Sequence, residues 1–549
     1  MDMLAEELKR KIRGEVDTSD TTLEKFSKDA SLFKVMPKVV VRPNDATDIE
    51  ALVSFATEKK KKGEEVSLTA RAAGTDMSGG PLGNSIILDM TAHFNHFISL
   101  EGNRAVVEPG MYFRDFDLET KKKNLEMPGY PASRNLATVG GMVANNAGGE
   151  KNLKYGKTGR YVEELDVVLA DGKTHTIKKL GGKELVSKLT EQSFEGDLYR
   201  ALADLVVKNK ETIEKARPRV TKNSSGYALW DVGDGETSLD LTKLIIGSQG
   251  ALGVITRITF SLVTPKPYAS MTVLFLKDLD ELGTIIQTVL QENPDSFESY
   301  DDHTFELAVK YFPEFAVQMK AGIISLGFQF LPEMWMLATG GIPKLVLLVE
   351  FCSDSQKEAF DKARALKKRL DASHIRAFTR VAKNEQAAEK YWTVRRESFS
   401  LLRKKIRNKK TAPFIDDFVV LPKDLPEFLP KLTAILSKYD LTYTIAGHVG
   451  DGNFHIIPLI DPTQPGIRNV ISKLAHEVYT LILAYHGSIS GEHNDGLIRT
   501  PYIKDMFGDD MVSLFEAVER IFDPDGIFNP GKKVGTSFEE SFRLLDLPA

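Results

Sequence analysis

A chain of 549 residues, 42% of them hydrophobic, is too long for a single hydrophobic core and predicts at least two packed regions. A formal net charge of −5 leaves no broad basic footprint, which argues against nucleic acid as a partner. The lone cysteine, Cys352, excludes an internal disulfide and a cysteine-held iron–sulfur cluster, and points to a reducing compartment.

In chain order, residues 1–17 mix acids and bases at helical spacing without an apolar run, which predicts a helical extension, no secretory signal or anchor, and a cytoplasmic location. From residue 39 to 264, β-branched runs alternate with Gly-rich turns and short helices; residues 66–71, 86–89 and 105–108 read as strands. Pro265 and Pro267 mark a hinge. Beyond it, residues 271–275 and 344–350 read as strands and 356–370 and 385–407 as helices, so the expected class is α+β. The most apolar stretch, residues 322–351, is broken by Pro332, Glu333, Gly340, Gly341, Pro343 and Lys344, which a spanning helix would not carry together. Core helix and strand is the expectation there, with a patch for a membrane surface or partner as the alternative.

The segment Arg71-Ala-Ala-Gly-Thr-Asp-Met-Ser-Gly-Gly-Pro-Leu-Gly-Asn84 lies between two predicted strands, where its glycines can take positive φ and turn N–H groups toward an anion. A strand at residues 85–89, not a helix, follows it, which excludes the Rossmann arrangement; taken alone, such a turn is also readily a plain loop. Residues 138–149 and 245–256 are two further Gly-punctuated runs of small side chains, and three such loops favour a large, partly flat ligand. Tyr155-Gly-Lys-Thr158 mimics the end of a phosphate-binding P-loop, but Lys151 stands where that motif requires glycine.

His448-Val-Gly-Asp-Gly-Asn-Phe-His455 joins two apolar runs, residues 441–446 and 456–460. A four-residue hairpin loop at 450–453 would make His448 and His455 cross-strand partners about 5 Å apart at Cβ, able to chelate a metal, with Val449 and Phe454 paired on the other face. Solvated histidines on a polar hairpin are the bland alternative. Ser488-Ile-Ser-Gly-Glu-His493 also reads as extended, and extended neighbours point to opposite sides. Glu492 then completes a metal site with His448 and His455 while His493 serves as general base; the reverse assignment stays open. The same two-His-one-carboxylate set would suit a metal-dependent hydrolase.

With Val41-Arg-Pro43 ahead of a helix, the three loops resemble the FAD-binding domain of the vanillyl-alcohol oxidase and p-cresol methylhydroxylase superfamily. The paired histidines with Glu492-His493, together with Phe522-Asp-Pro524 and Asn529-Pro-Gly-Lys532, are similar to its D-2-hydroxyacid dehydrogenase branch, which includes D-lactate, glycolate and D-2-hydroxyglutarate dehydrogenases. The resemblance implies a p-cresol-methylhydroxylase-type FAD domain of two α+β subdomains over residues 1–265, a cap domain with an antiparallel sheet and flanking helices over 266–487, and a segment returning to the FAD domain over 488–549. It places FAD against Arg71, Ala73, Gly74, Thr75, Asp76, Ser78 and Gly79, then Pro128 and Gly129, then Thr138, Gly140, Gly141, Ala144, Asn145, Asn146 and Gly148. Gly250, Gly253, Val254, Ile255 and Asn529 complete that set. No histidine occurs in the first two loops, so the flavin is expected to be non-covalent.

By the same resemblance, zinc or manganese on His448, His455 and Glu492 holds the hydroxyl and one carboxylate oxygen of a 2-hydroxy acid while His493 takes the hydroxyl proton and the C2 hydride goes to the flavin. An ordinary imidazole pKa would suffice for His493. Trp392-Thr-Val-Arg-Arg-Glu397 resembles the family's Trp-x-x-Arg-Glu element, whose arginine grips the substrate carboxylate; Arg395 fits its spacing, unless both arginines are solvated. Asn453 is a second substrate candidate or a plain turn residue, and Asn223 and Tyr227 resemble an element near the site or pack in a loop.

Two departures stand out. Asn494-Asp495-Gly496 occupies the place where the family commonly has glycine after Glu-His, and Asp416 and Asp417 stand where dicarboxylate-specific relatives tend to carry lysine, which favours a D-lactate-like monoacid. Electrons would pass to an external acceptor: a quinone, an electron-transfer flavoprotein, a cytochrome or an iron–sulfur subunit. No transmembrane segment is expected, while peripheral contact with the inner membrane face and a homodimer are left open. A non-redox flavoprotein of the same superfamily, like alkyl-glycerone-phosphate synthase, is the remaining alternative.

Overall fold

The computed structural model describes residues 3–310, 341–373, 375, 377–405 and 409–548. Most of the apolar stretch 322–351 lies outside the described residues, and its last part is the strand Leu345–Ser353. The chain opens with the helix Met3–Lys9, but residues 15–17, expected to be helical, form an edge strand against Val39–Arg42. Three large sheets are present among the described residues.

The first sheet runs Glu15–Asp17, Val39–Arg42, Ile86–Asp89, Leu68–Arg71, the last three parallel. The helix Ala46–Lys61 starts at Asp45, whose carboxylate accepts from the N–H groups of Thr47 and Asp48, and buries Ile49, Leu52, Val53 and Ala56 in one core with that sheet. Six antiparallel strands, Phe97–Glu101, Arg104–Val107, Val254–Ser261, Val162–Val168, Thr174–Gly181 and Ser238–Asp240, make the second sheet. Between the strands Arg104–Val107 and Val162–Val168 in the chain, the small-residue run at 138–149 forms the helix Val139–Asn145, capped by the Thr138 hydroxyl accepting from Gly141 N–H.

The third sheet has the order Ala377–Ala382, Tyr268–Leu276, Leu345–Ser353, Ser296–Asp301, Ile445–His448, Asn453–Ile456, Phe418–Val419 and is antiparallel throughout. Its interior strand Leu345–Ser353 reads almost continuously apolar because both faces are covered: Leu345, Leu347, Val349 and Phe351 enter one core, Val346 and Leu348 another. The tail then returns to the first sheet, where Leu68 N–H donates to Ile527 C=O at 2.7 Å and Asn529 N–H to Leu68 C=O at 2.9 Å. The apolar runs 441–446 and 456–460 are only partly strand: the first contributes to Ile445–His448, and the second is split between Asn453–Ile456 and Leu459–Ile460. Residues 488–493 form no strand; only Ser488 bridges to Val419.

Candidate active site

Ala446, not His448, stands opposite His455, and His448 faces Asn453, two residues away from the expected register. The connection is a tight 3-10 turn at Val449–Asp451 followed by Gly452 at φ +68, where a Cβ would collide with the Val420 carbonyl. A slip of two residues keeps every side chain on its own face. His448 and His455 therefore remain neighbours, on a diagonal, with ring centroids 5.3 Å apart and planes perpendicular. Phe454 pairs with Gly447 and not with Val449, although both apolar side chains are buried.

Glu492 Oε1 sits between the two imidazoles, 3.4 Å from His448 Nε2 and 3.2 Å from His455 Nε2. Each Nδ1 is turned to another carboxylate, Glu298 at 2.5 Å for His448 and Asp416 at 3.2 Å for His455. This arrangement fixes the rings and leaves both Nε2 atoms for a ligand, as in carboxylate–histidine–metal sites. The other oxygen of Asp416 lies 2.7 Å from His493 Nδ1, and the His493 ring stacks on His455 at 5.0 Å.

One ligand atom from each of Asp417, His455, Glu492 and His493 also falls within 4.8 Å of the others. Asp417 is the weak member of that group, because its carboxylate already accepts from Asn453 Nδ2, the Ser490 hydroxyl and the backbone N–H groups of Glu492 and His493. It is a clamp that shapes the 490–493 turn, while His448 Nε2 touches Glu492 Oε1 but does not fall within that four-residue group.

Electrostatics match. Burial opposes charge on Glu492, yet Lys222 and His448 hold its carboxyl well below the usual range. Burial likewise opposes charge on His455, but Asp416 and Glu492 outweigh it and raise the imidazole to about 10, so a cation settling there displaces a proton. His493 is also raised against burial by Asp417 and Asp416. The acids Glu298, Asp416, Asp417, Asp451 and Glu492 are all buried here, faced by Lys222 and Arg395.

Two clefts meet here. The first, of about 780 Å³, is walled by small residues including Ala70, Ala72, Ala73, Gly140, Gly141, Ala144, Gly250 and Gly253. The second, of about 1230 Å³, holds His448, His455, Glu492 and His493 with Arg395 and Arg396 on its rim. Thr75, Asp76, Gly141 and Asn145 line both.

A family model described as FAD binding domain matches residues 37–178, and one described as FAD linked oxidases, C-terminal domain, matches residues 266–533. The chain belongs to the FAD-linked oxidases. It is 28% identical to a D-2-hydroxyglutarate dehydrogenase of Pseudomonas putida over 95% of this chain and 50% of that protein, so it spans about half the length of this relative. It is 26% identical to a D-lactate dehydrogenase of Archaeoglobus fulgidus over 90% of this chain and 91% of that one. The structure of p-cresol methylhydroxylase with substrate bound superposes with a TM-score of 0.66 at 14% identity, covering 95% of this chain and 94% of that one, which shows the shared fold.

In this FAD-linked oxidase, Ala73, Gly74, Thr75, Asp76, Thr138, Gly140, Gly141, Ala144, Asn145, Gly250, Gly253 and Ile255 line the first cleft. The other residues expected at FAD do not line that cleft. Arg71 donates to the Phe26 and Lys28 carbonyls, Ser78 to Asp76, and Asn529 to the Gly80 and Gln249 carbonyls. Gly79 packs on Phe33 and Leu497, Gly129 on the Lys157 backbone, and Pro128 is buried beside it. Asn146 accepts from Gly159 N–H, Val254 belongs to the core, and Gly148 lines the second cleft. The first loop also differs from the expected anion nest, since Asp76 Oδ2 takes the Ser78 and Gly80 N–H groups and Oδ1 accepts from Asn145. Gln249 was missed; its amide links Ser78 and Asn145 and accepts from Gly496 N–H, and no sequence spacing marks it.

Asn453, expected at the substrate, is fully buried and spends its amide on Asp417, the Phe418 carbonyl and Lys222. Asn223 and Tyr227 are likewise structural, the tyrosine donating to Glu519 at 2.9 Å. Asp416 and Asp417 are buried beneath the cluster and line neither cleft, so they carry no information on substrate length. Asn494 takes φ +69, which glycine or asparagine tolerates, and donates to Gly247 C=O at 2.7 Å; it braces the flavin loops without entering the second cleft. Lys157, from the P-loop look-alike, is half-buried and donates to the Gly491 carbonyl at 3.1 Å, next to Glu492.

Proposed function

We propose that the chain is an FAD-dependent dehydrogenase of D-2-hydroxy acids that binds FAD non-covalently in the first cleft and its substrate in the second, with zinc or manganese on His448, His455 and Glu492. The junction of the two clefts at Thr75, Asp76, Gly141 and Asn145 carries this reading, because it opens the His–Glu cluster onto the space framed by the Gly-rich loops. When bound, FAD supplies a hydride acceptor and the metal a Lewis acid for the developing alkoxide charge.

The chain's own residues have the remaining tasks. Arg396 is held by Glu150 through two hydrogen bonds, at 2.9 and 2.6 Å. Arg395 pairs with Glu298 at 3.2 Å and keeps a buried Nε without a hydrogen-bond partner, leaving an edge of its guanidinium for a substrate carboxylate. His493 takes the hydroxyl proton at Nε2, since its Nδ1 lies against Asp416, and the imidazolium so formed is stabilised by Asp416 and Asp417. No histidine lines the first cleft, in keeping with a non-covalent flavin. A hydrolase built on the same ligands would leave that cleft without a role. The relatives named above take D-2-hydroxyglutarate and D-lactate by name, and both are 2-hydroxy acids. With one cysteine in the chain, electrons leave to an external acceptor such as a quinone, an electron-transfer flavoprotein, a cytochrome or an iron–sulfur subunit.

The test is anaerobic bleaching of the FAD-loaded protein by a panel of D- and L-2-hydroxy acids that includes D-lactate and D-2-hydroxyglutarate. D-isomers are expected to bleach the flavin band. Failure of every 2-hydroxy acid to do so would overturn the proposal.

A further inference from the structure

A buried lysine stands behind the acid of the cluster. Lys222 is 4% exposed and belongs to the loop 221–227, which is remote in sequence from all three proposed ligands. Its ammonium lies 3.1 Å from Asp451 Oδ2, 3.2 Å from Asn453 Oδ1 and 3.6 Å from Glu492 Oε2. Asp451 and Asn453 belong to the turn and strand that connect His448 to His455, whereas Glu492 arrives from the opposite side, on the 488–493 segment. One cation thus joins the two parts of the chain that must meet for a three-point site to exist.

The two oxygens of Glu492 have different surroundings. Oε1 sits between the Nε2 atoms, while Oε2 is buried without a hydrogen-bond partner and has Lys222 as its charged neighbour. A positive charge behind one oxygen selects the rotamer that presents the other forward, and in a buried setting that preference is strong. The neighbouring Gly148 leaves room for this placement, since a Cβ there would come within 2.9 Å of Oε2.

We infer that Lys222 is a positioning residue for the metal site, fixing the Glu492 carboxylate so that Oε1 faces His448 and His455 and setting the distance between the hairpin turn and the acid. The inference rests on the metal reading proposed above. The competing role is that of a counter-ion for Asp451 alone, which its 3.1 Å contact would also satisfy.

The two roles separate in a zinc titration of the FAD-loaded protein, stripped of metal and read against a chromophoric chelator, with flavin content and melting behaviour followed in parallel. Lys222→Met is expected to bind zinc at least 10-fold more weakly with its flavin retained, the usual size of losing a group that orients a ligand. The double variant Lys222→Met with Asp451→Asn removes the buried charge that the single change strands, so it keeps its fold, and it is expected to remain at least 10-fold weaker because Glu492 is still unset. Wild-type zinc affinity in either folded variant overturns the inference, and recovery in the double variant makes Lys222 a counter-ion of Asp451. A wild-type protein that binds no zinc or manganese overturns the metal reading itself, a separate outcome.

Discussion

A Cβ on Gly148 would stand 2.9 Å from Glu492 Oε2 and would collide with the Asn152 amide, so the loop after the second Gly-rich run approaches the acid only because it has no side chain there. Both neighbours are buried and have no solvent to retreat into. Gly148→Ala is therefore expected to push Glu492 out of line, weakening zinc or manganese binding about 10-fold or more while FAD stays bound. Chelator competition measures this; an affinity within twofold of the unaltered protein would show that Glu492 has room to yield.

Asp416 and His493 should separate when each is altered. His493→Ala leaves the three proposed ligands in place and is expected to slow flavin reduction about 100-fold, the usual cost of a general base, without loss of metal. Asp416→Asn touches Nδ1 of His455 as well as that of His493, so reduction and metal affinity are both expected to fall by roughly 10-fold or more. Rapid-mixing reduction and metal analysis on the two variants decide this. Full metal loss in His493→Ala would instead make that imidazole a ligand.

Much of this site was legible in the sequence for one physical reason: strand faces alternate with period two, so His448 and His455 share a face whether they pair directly or two residues out of step. The register itself was hidden, because the four-residue connection spans 449–452, one position earlier than the expected 450–453. Small side chains at Gly140, Gly141 and Ala144 line the first cleft, whereas Gly79 packs against Phe33 and Leu497. Lys222 and Glu298 could not be found that way. They come from segments remote from the motif, and no spacing rule links a charge at residue 222 or 298 to a hairpin near 450.

Asn494 offers a test of bracing against pocket shape. Glycine suits its φ of +69, so Asn494→Gly preserves the backbone and removes the side-chain bonds to the Gly247 and Asn145 carbonyls, the Asp495 N–H and Lys533. Stability is expected to fall by about 1–3 kcal/mol, the range for hydrogen bonds that include one to a charged group. The KM for a hydroxy acid should stay unchanged, because Asn494 does not line the second cleft. Denaturant midpoints and steady-state kinetics check both halves, and a shifted KM with intact stability would reverse the assignment.

Glu350 supplies the pH dependence. Burial raises its carboxyl from 4.5 to about 7, although the Trp392 indole N–H donates to it at 2.9 Å and favours the charged form. The folded protein therefore holds this proton more tightly than the unfolded chain does, and the resulting stability is complete below pH 4.5 and lost as pH climbs to about 7. The loss amounts to about 3 kcal/mol across that window. Nearby Glu150, kept below the ordinary range by Arg396 and Arg134 against burial, stays charged throughout and does not mask the effect. Glu350→Gln can accept the same indole hydrogen bond without a charge. It is expected to match the unaltered protein at pH 5 and to exceed it at pH 8 by about 1–3 kcal/mol in urea unfolding. If the two proteins unfold alike at pH 8, the Glu350 carboxylate is not strained by burial, and the origin of any alkaline loss of stability has to be sought elsewhere.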